Sequence, residues 1–283
     1  MTERTVTFEA GRRVPIAFVL GAAGIVLSAG LLRRATGLSE ALSGTAATVA
    51  TNVHFLFIVV LVWGVLGLEG VRSGRLGLSG RHLVAGSVAF VAVWAALNAL
   101  TVGVAVLAGE PWGVPVLTAA LAERGVDGLA VITFAAFAEE FAFRGYLQTR
   151  LIALRGDDSR GDAAVGLLAA SALFAVMHVP GMLLDGIALS ELPSGLVLLT
   201  LSGTAFGLLY ELTHNLGFVT LVHALGNTWV LATDPFSWSG WPFVAFLVAV
   251  GLIYSGGALA YRRLALGTDL TPAVRRRGPA GAA

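Results

Sequence analysis

The chain has 283 residues, 57% of them hydrophobic and only 12% charged, with a mean hydropathy of +0.84. Soluble domains carry about 25% charged residues, so this composition excludes an ordinary soluble domain and defines an integral membrane protein. The absence of cysteine excludes disulfides, thiolate metal ligands and a cysteine nucleophile, while a formal net charge of +1 says little about partners and nothing calls for nucleic acid.

Taken in order, apolar runs predict an all-α, polytopic bundle of about eight spans, at residues 14–32, 46–68, 83–107, 128–151, 163–179, 196–212, 217–232 and 241–264. The first run is too long for the core of a cleavable signal peptide. The fifth and seventh runs are short and carry polar residues. Between the third and fourth, Pro111-Trp112 opens a linker expected to hold a short interfacial helix, and residues 181–194 are expected at a membrane surface. Residues 267–283, rich in Arg, Pro, Gly and Ala, are expected to form a disordered tail. No repeat or second domain is evident, so residues 1–283 read as one membrane domain. All the basic residues are arginine. With eight spans, about 14 of them fall on one side and about 3 on the other, which predicts that both termini are cytoplasmic.

The fourth span departs from this apolar pattern, because Glu139, Glu140 and Arg144 sit inside it. Three ionised groups at mid-membrane would cost about 8–10 kcal/mol if simply summed, so they require internal partners. Glu140 and Arg144 are i and i+4, on one helix face with the glutamate N-terminal, the favourable order. Glu139 is rotated about 100° away and is left without a local partner, as suits a general base or acid. Alone, this pattern reads equally well as a structural ion-pair triplet. Phe174-x-x-x-His178 in the fifth span and His223-x-x-x-Asn227 in the seventh add imidazoles and an amide. Each alone is most simply a packing or interhelical hydrogen-bonding residue. Together they place Glu, His, His and Asn on three polar helices, as a buried hydrolytic site requires: one group activates water and others hold an oxyanion. Asn52, His54 and Asn98 are expected to be helix-contact or interfacial residues. Glu211 and His214 stand as secondary candidates for the border of a cavity.

The ordered set Glu139-Glu140-x-x-x-Arg144, Phe174-x-x-x-His178 and His223-x-x-x-Asn227 resembles the CPBP family of intramembrane proteases, which includes the type II CAAX prenyl endopeptidases and the bacterial Abi proteins. The resemblance covers roughly residues 128–232 and implies a catalytic core there, with the site among spans four, five and seven. It implies that Glu139 and His178 hold and activate the attacking water, that His223 and Asn227 stabilise the oxyanion, and that Glu140 with Arg144 is a structural pair beside Phe174. An alternative carry-over makes Glu139, His178 and His223 ligands of a divalent metal, zinc by preference. The chain has no His-Glu-x-x-His, which inclines the reading to a glutamate-activated water.

Three functions therefore compete: an endopeptidase acting on a membrane-associated protein or peptide precursor, a catalytically silent scaffold or immunity factor, and a proton-coupled transporter. The intact polar set argues against the scaffold, and the lack of an inverted repeat argues against the transporter. The arginine-only, Ala/Val/Leu/Gly-heavy composition suggests a high-GC bacterial genome, where a peptide precursor or membrane-anchored regulator is a better substrate than a farnesylated protein.

Overall fold

A computed structural model of the chain describes residues 3–9, 11, 13–37, 41–42, 44–156, 159–271 and 273–278. It is a helical bundle with one small sheet. In order it holds β1 (Glu3–Thr7), α1 (Arg13–Thr36), α2 (Gly44–Asn52), α3 (His54–Leu68), α4 (Gly80–Ala108) and α5 (Val114–Glu140). A π-helical segment (Phe141–Gln148) leads into α6 (Thr149–Arg155), followed by α7 (Arg160–Leu184), α8 (Leu192–Thr213), α9 (Leu216–Thr228), α10 (Trp241–Ala265) and β2 (Ala273–Arg277).

Among the described residues, six helical stretches are long and apolar enough to cross a membrane: Arg13–Thr36, Ala46–Leu68, Ser73–Ala108, Arg160–Leu184, Leu192–Thr213 and Trp241–Ala265. The protein is thus a multi-pass membrane protein, and its outer surface of Leu, Val, Phe and Trp side chains suits a lipid bilayer. The two predicted spans missing from the six carry two of the three motifs, at 128–151 and 217–232. The first is polar at its centre. The second corresponds to α9, whose 13 residues span about 20 Å, short of the roughly 30 Å hydrocarbon layer. Its faces are nonetheless buried nearly all round, because α9 packs against α4, α5 and α8. It is apolar as the centre of the bundle rather than as a lipid-facing span.

Local sequence sets the helix ends. Ser79, Ser159 and Asn215 are N-caps whose side chains accept from the backbone N–H of His82, Asp162 and Phe218, and Gly109 and Gly156 end helices with positive φ. Helix α5 breaks at Gly125 (φ 67°, ψ 159°), so its first part supplies the short helix expected between the third and fourth spans. Gly77 closes a 3₁₀ turn at φ 80° against the carbonyl of His214, where a Cβ has no room. Gly77→Ala is expected to destabilise the protein by about 2 kcal/mol or more, from the strained φ and the clash combined. A thermal melt in detergent measures it.

The chain ends differ from expectation. Residues 273–277, predicted to lie in a disordered tail, form β2 and pair in parallel with β1, in register from Glu3↔Ala273 to Thr7↔Arg277. Residues 272 and 279–283 of that predicted tail lie outside the described residues. Arg276 is buried and donates to both oxygens of Glu211 at 2.8 and 2.9 Å, which pins β2 to the end of α8. Glu211 also accepts from Gln148 Nε2 at 2.7 Å. It is therefore a structural anchor, and neither it nor His214 lines the cavity described below. The pairing puts both ends of the chain on the same side of the bundle.

A second buried ion pair was not predicted. Arg150, at the end of the predicted fourth span, is buried and donates from Nε to Glu69 Oε1 at 2.8 Å. Glu69 also accepts from the Tyr146 hydroxyl at 3.2 Å, and the Arg150 guanidinium lies 5.0 Å from the Phe8 ring centroid. This cluster ties the end of α3 to α6 beneath β1.

Candidate active site

Glu139 and Glu140 are the last two residues of α5, and Arg144 lies in the π-helical segment that follows. The i,i+4 pairing expected of an α-helix survives the change in winding. Arg144 Nη1 is 3.2 Å from Glu140 Oε1, and both side chains are almost completely buried. Arg144 Nη2 donates to the Gly203 carbonyl on α8 at 3.0 Å, and the guanidinium carbon lies 4.6 Å from the Phe174 ring and 5.7 Å from that of Phe206. The cation is thus held by a carboxylate, a carbonyl and two aromatic faces.

Glu140 has a second partner on α9: His223 Nδ1 lies 2.7 Å from its Oε1. With Glu140 ionised against Arg144, that nitrogen is the donor. His223 therefore presents Nε2 to the other side, as acceptor when neutral and as donor when it carries both protons. Its ring is stacked on Phe206 at 4.5 Å. His178 on α7 is held by a similar device. Its Nδ1 is 2.8 Å from the Phe174 carbonyl, which can only accept, so Nδ1 carries the proton and the neutral ring has a bare Nε2. Phe174 packs edge-on against the His178 ring at 4.6 Å.

These two Nε2 atoms converge on Glu139. His178 Nε2 is 3.9 Å from Glu139 Oε1 and His223 Nε2 is 3.7 Å from Oε2. Both separations exceed a direct hydrogen bond. Unlike Glu140, the Glu139 side chain is 17% exposed. Glu139 and His178 line a cavity of about 680 Å³ bounded by α1, the α2–α3 junction, the π-helical segment and α7, a size ordinary for ligand pockets.

The structure thus brings together Glu139, Glu140, Arg144, Phe174, His178 and His223 from four helical segments. It does not bring Asn227 to them. Asn227 lies one turn beyond His223 in the last turn of α9, exposed, and forms no hydrogen bond with the cluster among the described residues. Asn52 and His54, expected to be helix-contact residues, line the same cavity as Glu139 and His178. No catalytic motif marked them: they sit together in Thr51-Asn52-Val53-His54, just ahead of the apolar run 55–68. Glu139, His178 and His223 are donor types that zinc accepts. Among the described residues, however, no three His, Asp or Glu side chains are grouped closely enough to hold a metal ion, so the geometry does not fit a metal centre.

Fold and site together define a multi-pass membrane protein with a buried carboxylate–imidazole cluster beside an internal cavity. Residues 122–229, which contain every element of that cluster, match the family model described as type II CAAX prenyl endopeptidase Rce1-like. Over this stretch the chain is similar to the CAAX protease family. Comparison with curated proteins and with solved structures found no match.

Proposed function

We propose that the protein is an intramembrane endopeptidase that hydrolyses a peptide bond of a membrane-associated protein or peptide precursor. The observation that carries this reading is the convergence of His178 Nε2 and His223 Nε2 on the Glu139 carboxylate at the wall of the cavity. The 3.7–3.9 Å gaps suit a bridging water better than direct contact.

In this mechanism Glu139 accepts a proton from that water while the bare Nε2 of His178 orients it. The hydroxide adds to the substrate carbonyl, and the oxyanion is received by His223, donating from Nε2 in its doubly protonated form, and by Asn227, brought in by a turn of its side chain towards the substrate. Glu139 then returns its proton to the amide nitrogen, the C–N bond breaks, and an amine and a carboxylic acid leave, the acid passing its proton to the amine. Glu140 and Arg144 touch no reacting atom. They fix the His223 ring and keep its Nδ1 occupied. No step is routed through a metal.

The arginine distribution supports an orientation with both termini in the cytoplasm. Removing the buried Arg150 from the count leaves the sign of the bias unchanged.

The test is cleavage of a quenched fluorescent peptide library by detergent-purified protein, with and without a chelator. Turnover that survives chelation is the expected result. Turnover abolished by chelation and restored by zinc would replace the glutamate-activated water with a metal-bound one. A folded protein without turnover on any library member would count for the scaffold reading.

A further inference from the structure

The cavity has a second polar wall, besides that of Glu139 and His178. It is built where the apolar stretch 46–68 is interrupted at Val53, between α2 and α3. The backbone at Val53 stays near helical values (φ −57°, ψ −28°), but side chains take over part of the hydrogen bonding. Asn52 Nδ2 donates to the Thr48 carbonyl at 2.8 Å, and His54 Nδ1 lies 3.0 Å from the Thr51 carbonyl. A carbonyl only accepts, so His54 Nδ1 carries the proton and, in the neutral ring, Nε2 is bare. The ring is steadied against Phe55, centroid to centroid at 4.2 Å. This is the arrangement seen at His178, where a backbone carbonyl also fixes Nδ1 and leaves Nε2 for the cavity. A half-buried imidazole with one nitrogen satisfied by its own helix and the other directed at no described partner is a costly feature in an apolar span. Here it shares a cavity, and an electrostatic interaction, with Glu139.

We propose that His54 is a substrate-contacting residue of this site, its Nε2 accepting a peptide N–H of the segment lying in the cavity. This rests on the endopeptidase reading. A peptide in the cavity brings backbone N–H groups into apolar surroundings, where an unpaired donor is expensive. Among the side chains of this wall, a neutral imidazole with a fixed tautomer is an acceptor whose free nitrogen is set in advance. The contact holds the substrate without touching the reacting atoms, so it acts on binding rather than on the chemical step.

The experiment has two arms on the full chain in detergent. Steady-state cleavage of a library peptide is compared for wild type, His54→Ala and His54→Gln. The expected result is a KM about tenfold higher for His54→Ala with kcat within about threefold, the size of effect one lost hydrogen bond produces. His54→Gln, which keeps an acceptor oxygen, should recover most of it. A purely structural role would move kcat and melting temperature instead. The second arm needs no turnover. The chain has no cysteine, so His54→Cys supplies a unique thiol, and a saturating pool of the library peptides should slow its maleimide modification at least about fivefold. If wild type cleaves peptides but His54→Ala leaves KM within twofold, the inference falls and the endopeptidase reading stands. If nothing is cleaved yet the pool protects the thiol, the reading falls and the contact stands. If neither occurs, both fall. Should His54→Ala not fold, the thiol arm decides alone.

Discussion

Glu139→Gln is expected to lower kcat by about 10²–10⁴-fold, the usual worth of a positioned general base, with KM changed little. The amide is nearly isosteric and still fills the gap between the two imidazoles, so substrate and water can bind, but it cannot take the proton. The protein should remain folded, because the short ionic contact of Arg144 is to Glu140, and Glu139 faces the cavity rather than the packed interior. His178→Ala should cost a similar factor, since it removes the group proposed to orient the same water. Steady-state kinetics beside a thermal melt of each variant make the check. A Glu139→Gln enzyme within threefold of wild type would mean that another group is the base.

The largest stability effect belongs to Arg144. Arg144→Met keeps much of the volume but leaves Glu140, fully buried, facing only His223. It also removes the bond to the Gly203 carbonyl and the stacking on Phe174 and Phe206. Breaking a buried pair by deleting one partner costs about 3–5 kcal/mol, mostly the price of the orphaned charge. Arg144→Lys should rescue little, because an ammonium cannot bond the carboxylate and the carbonyl in the fork geometry or lie flat on two rings. The double variant Glu140→Gln/Arg144→Met should recover part of the loss, since it leaves no unpaired charge. Unfolding of these proteins beside wild type and Glu140→Gln in one detergent gives the coupling between the two positions. Arg144→Met within about 1 kcal/mol of wild type, against the 3–5 expected, would show that Glu140 is not held ionised by this arginine.

Local spacing made the motif pairs legible. Glu140 and Arg144 pair as their four-residue separation demands. His178 and Phe174 bond across one turn, and Glu139 is the carboxylate left over. Of the eight spans expected from apolar runs, six correspond to membrane-length helices among the described residues. What spacing does not carry is who meets whom across the bundle. Glu69 and Arg150 are 81 residues apart, each at the end of an apolar run where a charge ordinarily marks a loop, so their buried pairing had no local trace. His54 looked like a stray polar residue because the groups it joins come from helices remote in sequence. The eight-residue π-helical segment is likewise silent in the sequence, since its residues have ordinary helical propensities. The tail misled by composition. Arginine, proline and glycine suggest disorder, but Arg276 finds Glu211, and β2 finds a strand made at the other end of the chain.

That strand pair bears on how the protein is made. Strand β1 leaves the ribosome first, and its partner follows roughly 270 residues later, which at about 5–20 residues per second is a delay of roughly 15–50 s. Throughout that interval β1, and Phe8 beside it, must wait at the membrane without a partner while the helices insert. The pairing can close only once residues 273–277 have emerged, so this part of the assembly is sealed by a strand translated long after the one it joins.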